Sequence, residues 1–375
     1  MTFFLKNYSY PPRMCVVAKD REMLSELLEC GHEVMYIDDG TIVFYPDQTQ
    51  IILNSSEVDK IRGLCNRDII DISGNGLAFR MFANIEPDSV LFLGAKCNSN
   101  CIMCPASDAE RRNGFSYTPE QIYSYINYLP CDLESLVVTG GEPTMNPDLL
   151  LFAMRKIKEK YQYTQVLLLT NGRALSNSGF VTELCSAAPS NLVIAIPVHG
   201  DNAKLHDSIT RVDGSFYETQ LAIHRLLAKK IPVELRIVVN EVNSNHLHGI
   251  ARLVTSELQT INVVNFVGLE PRGNCAINAE RVYIEHKDGF IRMKPAINHL
   301  VEHGINVGIY NYPLCSVDQG YWSICKKSIS QYKAIYHEKC NECIVKDLCG
   351  GLFVATMAFI KPDVSPIVKK ENSCA

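Results

Sequence analysis

The stretch Ser89-Val90-Leu91-Phe92-Leu93-Gly94-Ala95-Lys96-Cys97-Asn98-Ser99-Asn100-Cys101-Ile102-Met103-Cys104 decides the reading of this chain. Its first six residues form a short apolar run of the kind that makes a buried strand. Three cysteines follow in Cys-x3-Cys-x2-Cys spacing. The thiols therefore stand on a loop at the C-terminal end of a strand, where barrel-type α/β folds place their chemistry. A structural four-iron cluster takes four cysteines, so three thiolates leave one iron open to a small molecule. A zinc loop or three unrelated buried cysteines are the alternatives. Zinc usually takes a fourth protein ligand and Cys-x2-Cys pairs.

From residue 89 onward, strand and helix patterns alternate. The strands are expected at Ser89–Gly94, Ser135–Thr139, Gln165–Thr170, Leu192–Val198, Val233–Val239 and Asn262–Val267. Thr118-Pro119-Glu120-Gln121 opens a helix, with Thr118 as N-cap, Pro119 in the first helical position and Gln121 at the third. Asn146-Pro147 opens another that runs to about Tyr161. Further helices are expected near Ser215–Lys230, His246–Leu258 and Phe290–His303. Such alternation implies a parallel sheet with right-handed crossovers. Six repeats are too few to close an eight-stranded barrel. The fold class is therefore α/β, an open partial (β/α)6 TIM-like barrel over residues 89–304. Residues 1–88 read as a small α+β domain rich in hairpins, with one helix at Arg21–Cys30. Its strands are expected at Glu33–Ile37, Thr41–Tyr45 and Gln50–Leu53. Residues 305–375 form a cysteine-rich C-terminal extension.

The chain has 375 residues, 47% of them hydrophobic and 21% charged, which suits a full globular catalytic domain with accessories. A net charge of −5 argues against a general nucleic-acid binder. The N-terminus lacks a basic region followed by a long apolar core. No apolar run approaches the roughly 18–20 residues that span a bilayer. A soluble, cytoplasmic protein with no membrane partner is expected. In that compartment the fifteen cysteines serve as buried thiols, metal ligands or catalysts rather than disulfides. Cys15, Cys30, Cys65, Cys131 and Cys185 are expected in the core. The cluster candidates are the triplet at 97–104 and the group from Cys315 to Cys374.

Directly after the second strand stands Thr139-Gly140-Gly141-Glu142-Pro143. Glycines at a strand end allow close approach of backbone to a ligand. A carboxylate beside them accepts hydrogen bonds from an ammonium group. Together with the triplet, this motif resembles the radical S-adenosylmethionine (SAM) enzymes. The resemblance implies a [4Fe-4S] cluster on Cys97, Cys101 and Cys104, with SAM at its open iron and cleaved reductively to a 5′-deoxyadenosyl radical. It also implies that Gly140, Gly141, Glu142 and Pro143 hold the SAM amino group. Softer matches add Asn171 in Thr170-Asn171-Gly172, His199 in Pro197-Val198-His199-Gly200, and Arg211 in His206-Asp207-Ser208-Ile209-Thr210-Arg211 as the carboxylate partner. The pair His206-Asp207 reads equally as a helix-terminal polar pair. Val239–Asn243 and Gly268–Gly273 end the fifth and sixth strands and would flank the cofactor or the substrate. No general acid or base is named. Met103 stands where the superfamily usually has an aromatic residue, and a thioether packs on a ring as well.

The C-terminal run Cys340-Asn-Glu-Cys343-x5-Cys349-Gly350-Gly351 resembles the SPASM and twitch extensions, which hold auxiliary iron–sulfur clusters. Full SPASM domains carry another cysteine at the position of Phe353, so one auxiliary [4Fe-4S] cluster is expected. Its ligands would be Cys315, Cys340, Cys343 and Cys349, with Cys325 and Cys374 as alternatives to Cys315. A zinc ribbon is the rival. Roughly residues 85–355 resemble HxsC, a radical SAM maturase family of the His-Xaa-Ser systems. That implies modification of a ribosomally made peptide or small protein. It also implies a partner radical SAM maturase and an external electron donor such as flavodoxin or ferredoxin. The alternatives are a small-molecule radical SAM dehydrogenase, a sulfatase-maturase-like enzyme, or a non-catalytic iron–sulfur scaffold that binds peptides.

Overall fold

A computed structural model of the chain describes residues 1–368 except 113, 259, 262, 331, 332 and 363. The expected strand start at Asn262 and the candidate ligand Cys374 lie outside the described residues.

The N-terminal part is one seven-stranded sheet built from β1 (Thr2–Phe4), β2 (Arg13–Ala18), β3 (Val34–Asp38), β4 (Thr41–Tyr45), β5 (Thr49–Ile52), β6 (Ile69–Ile72) and β7 (Leu77–Phe82). The spatial order is β1-β7-β6-β2-β3-β4-β5. All neighbours are antiparallel except β2 and β3, which α1 (Arg21–Glu29) connects. The helix α2 (Ser55–Ile61) opens with a capping box between Asn54 and Glu57. The hairpins expected here are present, flanked by four strands that the sequence pattern did not reveal. Met14, Ile69 and Phe82 are buried in the same apolar cluster as the second sheet. Tyr117 Oη donates to Asp71 Oδ2 at 3.1 Å across the join.

The second sheet is wholly parallel and runs β15-β14-β13-β12-β11-β10-β9-β8. Its strands are β8 (Asp88–Phe92), β9 (Ser135–Thr139), β10 (Gln165–Leu169), β11 (Leu192–Pro197), β12 (Val233–Val238), β13 (Val263–Val267), β14 (Asn306–Tyr310) and β15 (Cys325–Lys326). Spatial order equals chain order, so every crossover leaves the same way and the sheet curls into an open half-barrel. Two strands, β14 and β15, extend the six expected. Asn306-Val-Gly-Ile-Tyr310 is short and broken by glycine, and β15 pairs through only two residues. Neither carries a readable apolar alternation. Among the described residues, β8 and β15 are edges that do not pair with each other.

The helices between these strands are α3 (Asp108–Arg112), α4 (Pro119–Tyr128), α5 (Pro147–Lys160), α6 (Ser178–Ala187), α7 (Ala203–Thr210), α8 (Ser215–Ala228), α9 (Leu247–Glu257), α10 (Gly273–Ile277), α11 (Ala279–Val282) and α12 (His286–Glu302). Alternate strand residues such as Leu136 and Val138, Ile194 and Ile196, and Val264 and Phe266 are buried against them. Each such side chain contributes roughly 1.5–3 kcal/mol when fully buried. The C-terminal segment adds a two-stranded ribbon, β16 (Ala334–Ile335) with β17 (Leu352–Phe353), followed by α13 (Val354–Phe359).

The scattered cysteines correct one expectation. Cys15 is buried, but Cys30, Cys65 and Cys131 are exposed and Cys185 is half-buried. Cys30 caps the end of α1. Cys65 and Cys131 lie in turns, where backbone geometry rather than side-chain polarity decides exposure. Among the described residues, no helix is long and apolar enough to cross a membrane.

Thr118 caps α4 as expected: its Oγ1 accepts from Gln121 N at 3.3 Å, and Gln121 Oε1 accepts from Thr118 N at 3.0 Å. Thr118→Ala removes one half of this box and is expected to lower stability by about 1 kcal/mol. A urea unfolding midpoint unchanged by the substitution would show that the cap contributes nothing.

Candidate iron–sulfur and cofactor site

The cysteine loop leaves β8 and is fixed from several sides. Gly141 N donates to Gly94 O at 2.8 Å, and Glu142 N donates to Lys96 O at 2.8 Å. The two glycines are needed for this approach. A Cβ on Gly140 would come within 2.5 Å of Gly94 O, and one on Gly141 would fall on the Ala95 carbonyl. What these glycines admit in this structure is the backbone of the cysteine loop itself. On its far side the loop lies against the end of α7, where Asn100 N donates to Thr210 O and Ile102 N to Ile209 O.

Three side chains then hold the loop's carbonyl groups. Asn274 Nδ2 donates to Cys101 O at 3.1 Å, Asn278 Nδ2 to Ile102 O at 3.1 Å, and Arg111 Nη1 to Ser99 O at 3.3 Å. Cys275 N donates to Cys104 O at 3.0 Å. The fully buried Cys275 thiol belongs to an apolar cluster with Ile102, Met103, Ile209, Leu269 and Val282. Asn274, Asn278, Arg111 and Cys275 were not legible as site residues. The only available signal was two asparagines four residues apart just beyond a strand end.

The three thiols stand close enough to interact. Burial pushes Cys101 up to about 12, with Cys104 and Cys97 adding to the rise. Burial also raises Cys97, against the hydrogen bond that Ser99 N gives its sulfur at 3.4 Å. Among the described residues, no three His, Cys, Asp or Glu side chains converge tightly enough to hold one metal ion. The donor set on this loop, three mutually near thiols with a braced backbone, suits a larger multi-iron body better than a single zinc.

Glu142 is 3% exposed. Its Oε1 accepts from Thr144 N at 3.0 Å, Thr144 Oγ1 at 2.7 Å and Thr170 Oγ1 at 2.6 Å. Its Oε2 accepts from Asn171 N at 2.6 Å. One oxygen is saturated and the other keeps room for a further donor. Asn171 Nδ2 donates to Asn98 Oδ1 at 2.7 Å, so Glu142 and Asn171 are brought together with the cysteine loop. Arg173, unforeseen, donates from Nη1 to Asn98 O at 2.7 Å and from Nε to Glu218 Oε2 at 2.5 Å.

His199 is buried at the end of β11, and its Nδ1 lacks a hydrogen-bond partner among the described residues. Burial holds its pKa well below the usual imidazole value. Burial likewise lowers His206 to about 4, and His206 Nδ1 accepts from His199 N at 3.3 Å. Asp207 accepts from Gly214 N, Ser215 Oγ and Phe216 N at 2.7–2.8 Å and so caps α8. That is the helix-terminal reading of this pair. Burial works to raise Asp207, but those three bonds outweigh it and keep the carboxyl below its ordinary range. Arg211 ends α7 in a left-handed conformation at φ 57°. Its guanidinium is exposed and donates to Asn278 Oδ1 at 3.1 Å, one residue removed from the cysteine loop.

In the C-terminal segment, Cys315, Cys340, Cys343 and Cys349 all line one cavity. Leu314 N and Gly351 N each donate to Cys349 Sγ at 3.4 Å. Burial raises the Cys315 and Cys340 thiols. Cys325 does not line the cavity. Its thiol donates to Tyr321 O at 3.6 Å.

Residues 91–254 match the family model of the Radical SAM superfamily. The chain thus carries a radical SAM domain, the mark of an enzyme superfamily that uses a [4Fe-4S] cluster and SAM. It is 25% identical over 213 residues to the antilisterial bacteriocin subtilosin biosynthesis protein AlbA of Bacillus subtilis, covering 54% of this chain and 43% of that protein. It is 25% identical over 178 residues to a probable GTP 3′,8-cyclase of Saccharolobus islandicus, covering 47% and 55%. The chain spans about half the length of these curated relatives. The solved structure of native anSMEcpe with bound AdoMet has a similar fold, with a TM-score of 0.51 at 15% identity over 75% of this chain and 93% of that one.

Two outcomes test the loop. In iron-free protein at pH 8, a thiol with a pKa of about 12 is about 10⁻⁴ thiolate, so Cys101 should alkylate far more slowly than exposed Cys131. The rate should rise as the pH is raised, and iodoacetamide labelling followed by mass spectrometry reads it. Gly141→Ala should displace the cysteine loop, so that the reconstituted protein loses about half of its iron, together with any signal that responds to SAM, while the rest of the fold keeps its circular dichroism. Full iron in that variant would contradict the packing described.

Proposed function

We propose that this protein is a radical SAM peptide maturase with one auxiliary iron–sulfur cluster. The observation that carries this reading is a second set of four thiols, Cys315, Cys340, Cys343 and Cys349, around one cavity beyond the half-barrel. Cys97, Cys101 and Cys104 would hold the SAM-binding cluster. When bound, that cluster and SAM supply a 5′-deoxyadenosyl radical that takes a hydrogen atom from the substrate.

The chain's own residues position and exclude water. Asn274, Asn278 and Arg111 hold the loop carbonyls in place, so the thiols are presented without reorganisation. The unfilled acceptor site on Glu142 Oε2 suits the SAM ammonium, with Gly140, Gly141 and Pro143 shaping the turn around it. Asn171 and His199 stand at neighbouring strand ends, and the buried Nδ1 of His199 is free to accept or donate one further bond. Arg211 would reach the SAM carboxylate only by swinging from Asn278. The four C-terminal thiols, Cys315, Cys340, Cys343 and Cys349, would hold the auxiliary cluster, which would supply a one-electron acceptor or relay.

A peptide substrate is supported by the likeness to AlbA, which is named for bacteriocin biosynthesis. The finer assignment to the His-Xaa-Ser systems rests on Cys97-Asn-Ser-Asn-Cys101-Ile-Met-Cys104-Pro105 and the C-terminal cysteine run. It brings with it a partner maturase and a flavodoxin or ferredoxin donor in the cytoplasm.

Anaerobic reconstitution, iron and sulfide counting, and EPR with and without SAM test the proposal. About eight irons per chain are expected, with one signal changed by SAM. The double variant Cys340→Ala/Cys349→Ala should lose about half of the iron and keep the SAM-sensitive signal. About four irons plus zinc in the wild type would make the C-terminal set structural. Absence of any SAM-sensitive signal would remove the enzymatic reading.

A further inference from the structure

The stretch Ser107-Asp108-Ala109-Glu110-Arg111-Arg112 stands just beyond the cysteine triplet. Ser107 and Glu110 form a capping box: Ser107 Oγ accepts from Glu110 N at 3.2 Å, and Glu110 Oε2 accepts from Ser107 N. This box opens the short helix α3. Adjacent helical positions point about 100° apart, so the two arginines diverge. Arg112 is exposed, whereas Arg111 is only 4% exposed. The buried guanidinium turns back to the cysteine loop. Its Nη1 donates to Ser99 O at 3.3 Å, its Nη2 to Asn100 Oδ1, and its Nε to Ser107 O at 3.3 Å.

All three of these acceptors are neutral. A buried charge is costly unless an opposite charge stands close to it. Among the described residues, the one carboxylate ion-paired with Arg111 is Asp108, at 3.7 Å. That carboxylate is 39% exposed and lies nearer to Arg112, at 2.6 Å. Arg173, the other arginine that holds the loop, differs, because Glu218 pairs with its Nε at 2.5 Å. A neutral glutamine in place of Arg111 could still donate to a loop carbonyl, so bracing alone does not call for a cation. Ser99 and Asn100, which Arg111 holds, lie between Cys97 and Cys101. The guanidinium is near enough to act electrostatically on both of those sulfurs.

We propose that the buried charge of Arg111 raises the reduction potential of the cluster on Cys97, Cys101 and Cys104. The inference rests on the cluster assignment made under the proposed function. Reduction passes one electron from a donor of the flavodoxin or ferredoxin class to the cluster, with no bond made or broken. The electron adds negative charge where three thiolates already stand. A cation fixed beside them and shielded from water is little screened by salt, and it favours the reduced state. Net charge and burial are among the levers by which a protein sets such a potential. Arg111 acts only through the cluster and is therefore a positioning residue.

The experiment is a redox titration of the reconstituted full-length protein, followed on the EPR signal that responds to SAM. Arg111→Gln should make reduction about tenfold less favourable, which for one electron is a fall of about 59 mV in potential. Arg111→Lys keeps the charge without the planar fork and should stay close to the wild-type potential. Asp108→Asn removes the carboxylate that partly offsets Arg111 and should raise the potential. A purely structural brace behaves differently: both Arg111 variants would lose iron alike, and whatever cluster still loads would keep its potential. An unchanged potential in Arg111→Gln, or an equal fall in Arg111→Lys, would overturn the inference. Should Arg111→Gln fail to take up iron, Asp108→Asn decides, and a potential that does not rise overturns it. Absence of any SAM-sensitive signal in the wild type would instead sink the cluster assignment itself.

Discussion

The contact on which the rest of the structure depends is between two backbones. Past the last residues of β8 and β9, the chain at Gly141 and Glu142 continues to hydrogen-bond with Gly94 and Lys96. The parallel pairing is thereby prolonged beyond the strands, and the cysteine loop starts from a fixed direction. Only residues without a Cβ permit that approach at Gly140 and Gly141, because the carbonyls of Gly94, Ala95 and Lys96 occupy the space. Every later feature of the loop is referenced to this start.

Glu142 illustrates what the arrangement costs and how the cost is offset. A carboxylate at 3% exposure has lost most of its water, which is expensive unless hydrogen bonds replace it. Four donors from Thr144, Thr170 and Asn171 replace that hydration without any cation. The carboxylate therefore keeps its appetite for positive charge while remaining held. A guanidinium salt bridge in the same place would have cancelled it. The nearby arginines are committed elsewhere, Arg173 to Asn98 and Glu218 and Arg111 to Ser99 and Asn100.

The two cysteine sets are joined through the loop after β13. Lys333, at the start of the C-terminal ribbon, donates to Glu270 Oε2 at 3.1 Å. Three residues further on, α10 begins and supplies Asn274 and Cys275 to the cysteine loop. This path ties the C-terminal segment to the barrel.

Much of this was legible from local rules. Thiol spacing, the Gly-Gly-Glu-Pro turn, the Thr118 and Asn146 caps and the apolar alternation of six strands each depend on residues within a few positions of one another. The sequence by itself therefore determined the open parallel half-barrel and the loop that carries the triplet. It did not disclose β14 and β15, whose pattern is too short and too polar, nor the exposure of Cys30, Cys65 and Cys131. The preference for Cys315 over Cys325 beside Cys340, Cys343 and Cys349 came from the family resemblance, because spacing alone leaves both open. Only the turn of the short helical segment between them sends one sulfur to the cavity and the other to the Tyr321 carbonyl. Asn274 and Asn278 reach the loop from more than 170 residues away. Such pairings depend on the closure of the sheet in three dimensions, which no local spacing encodes.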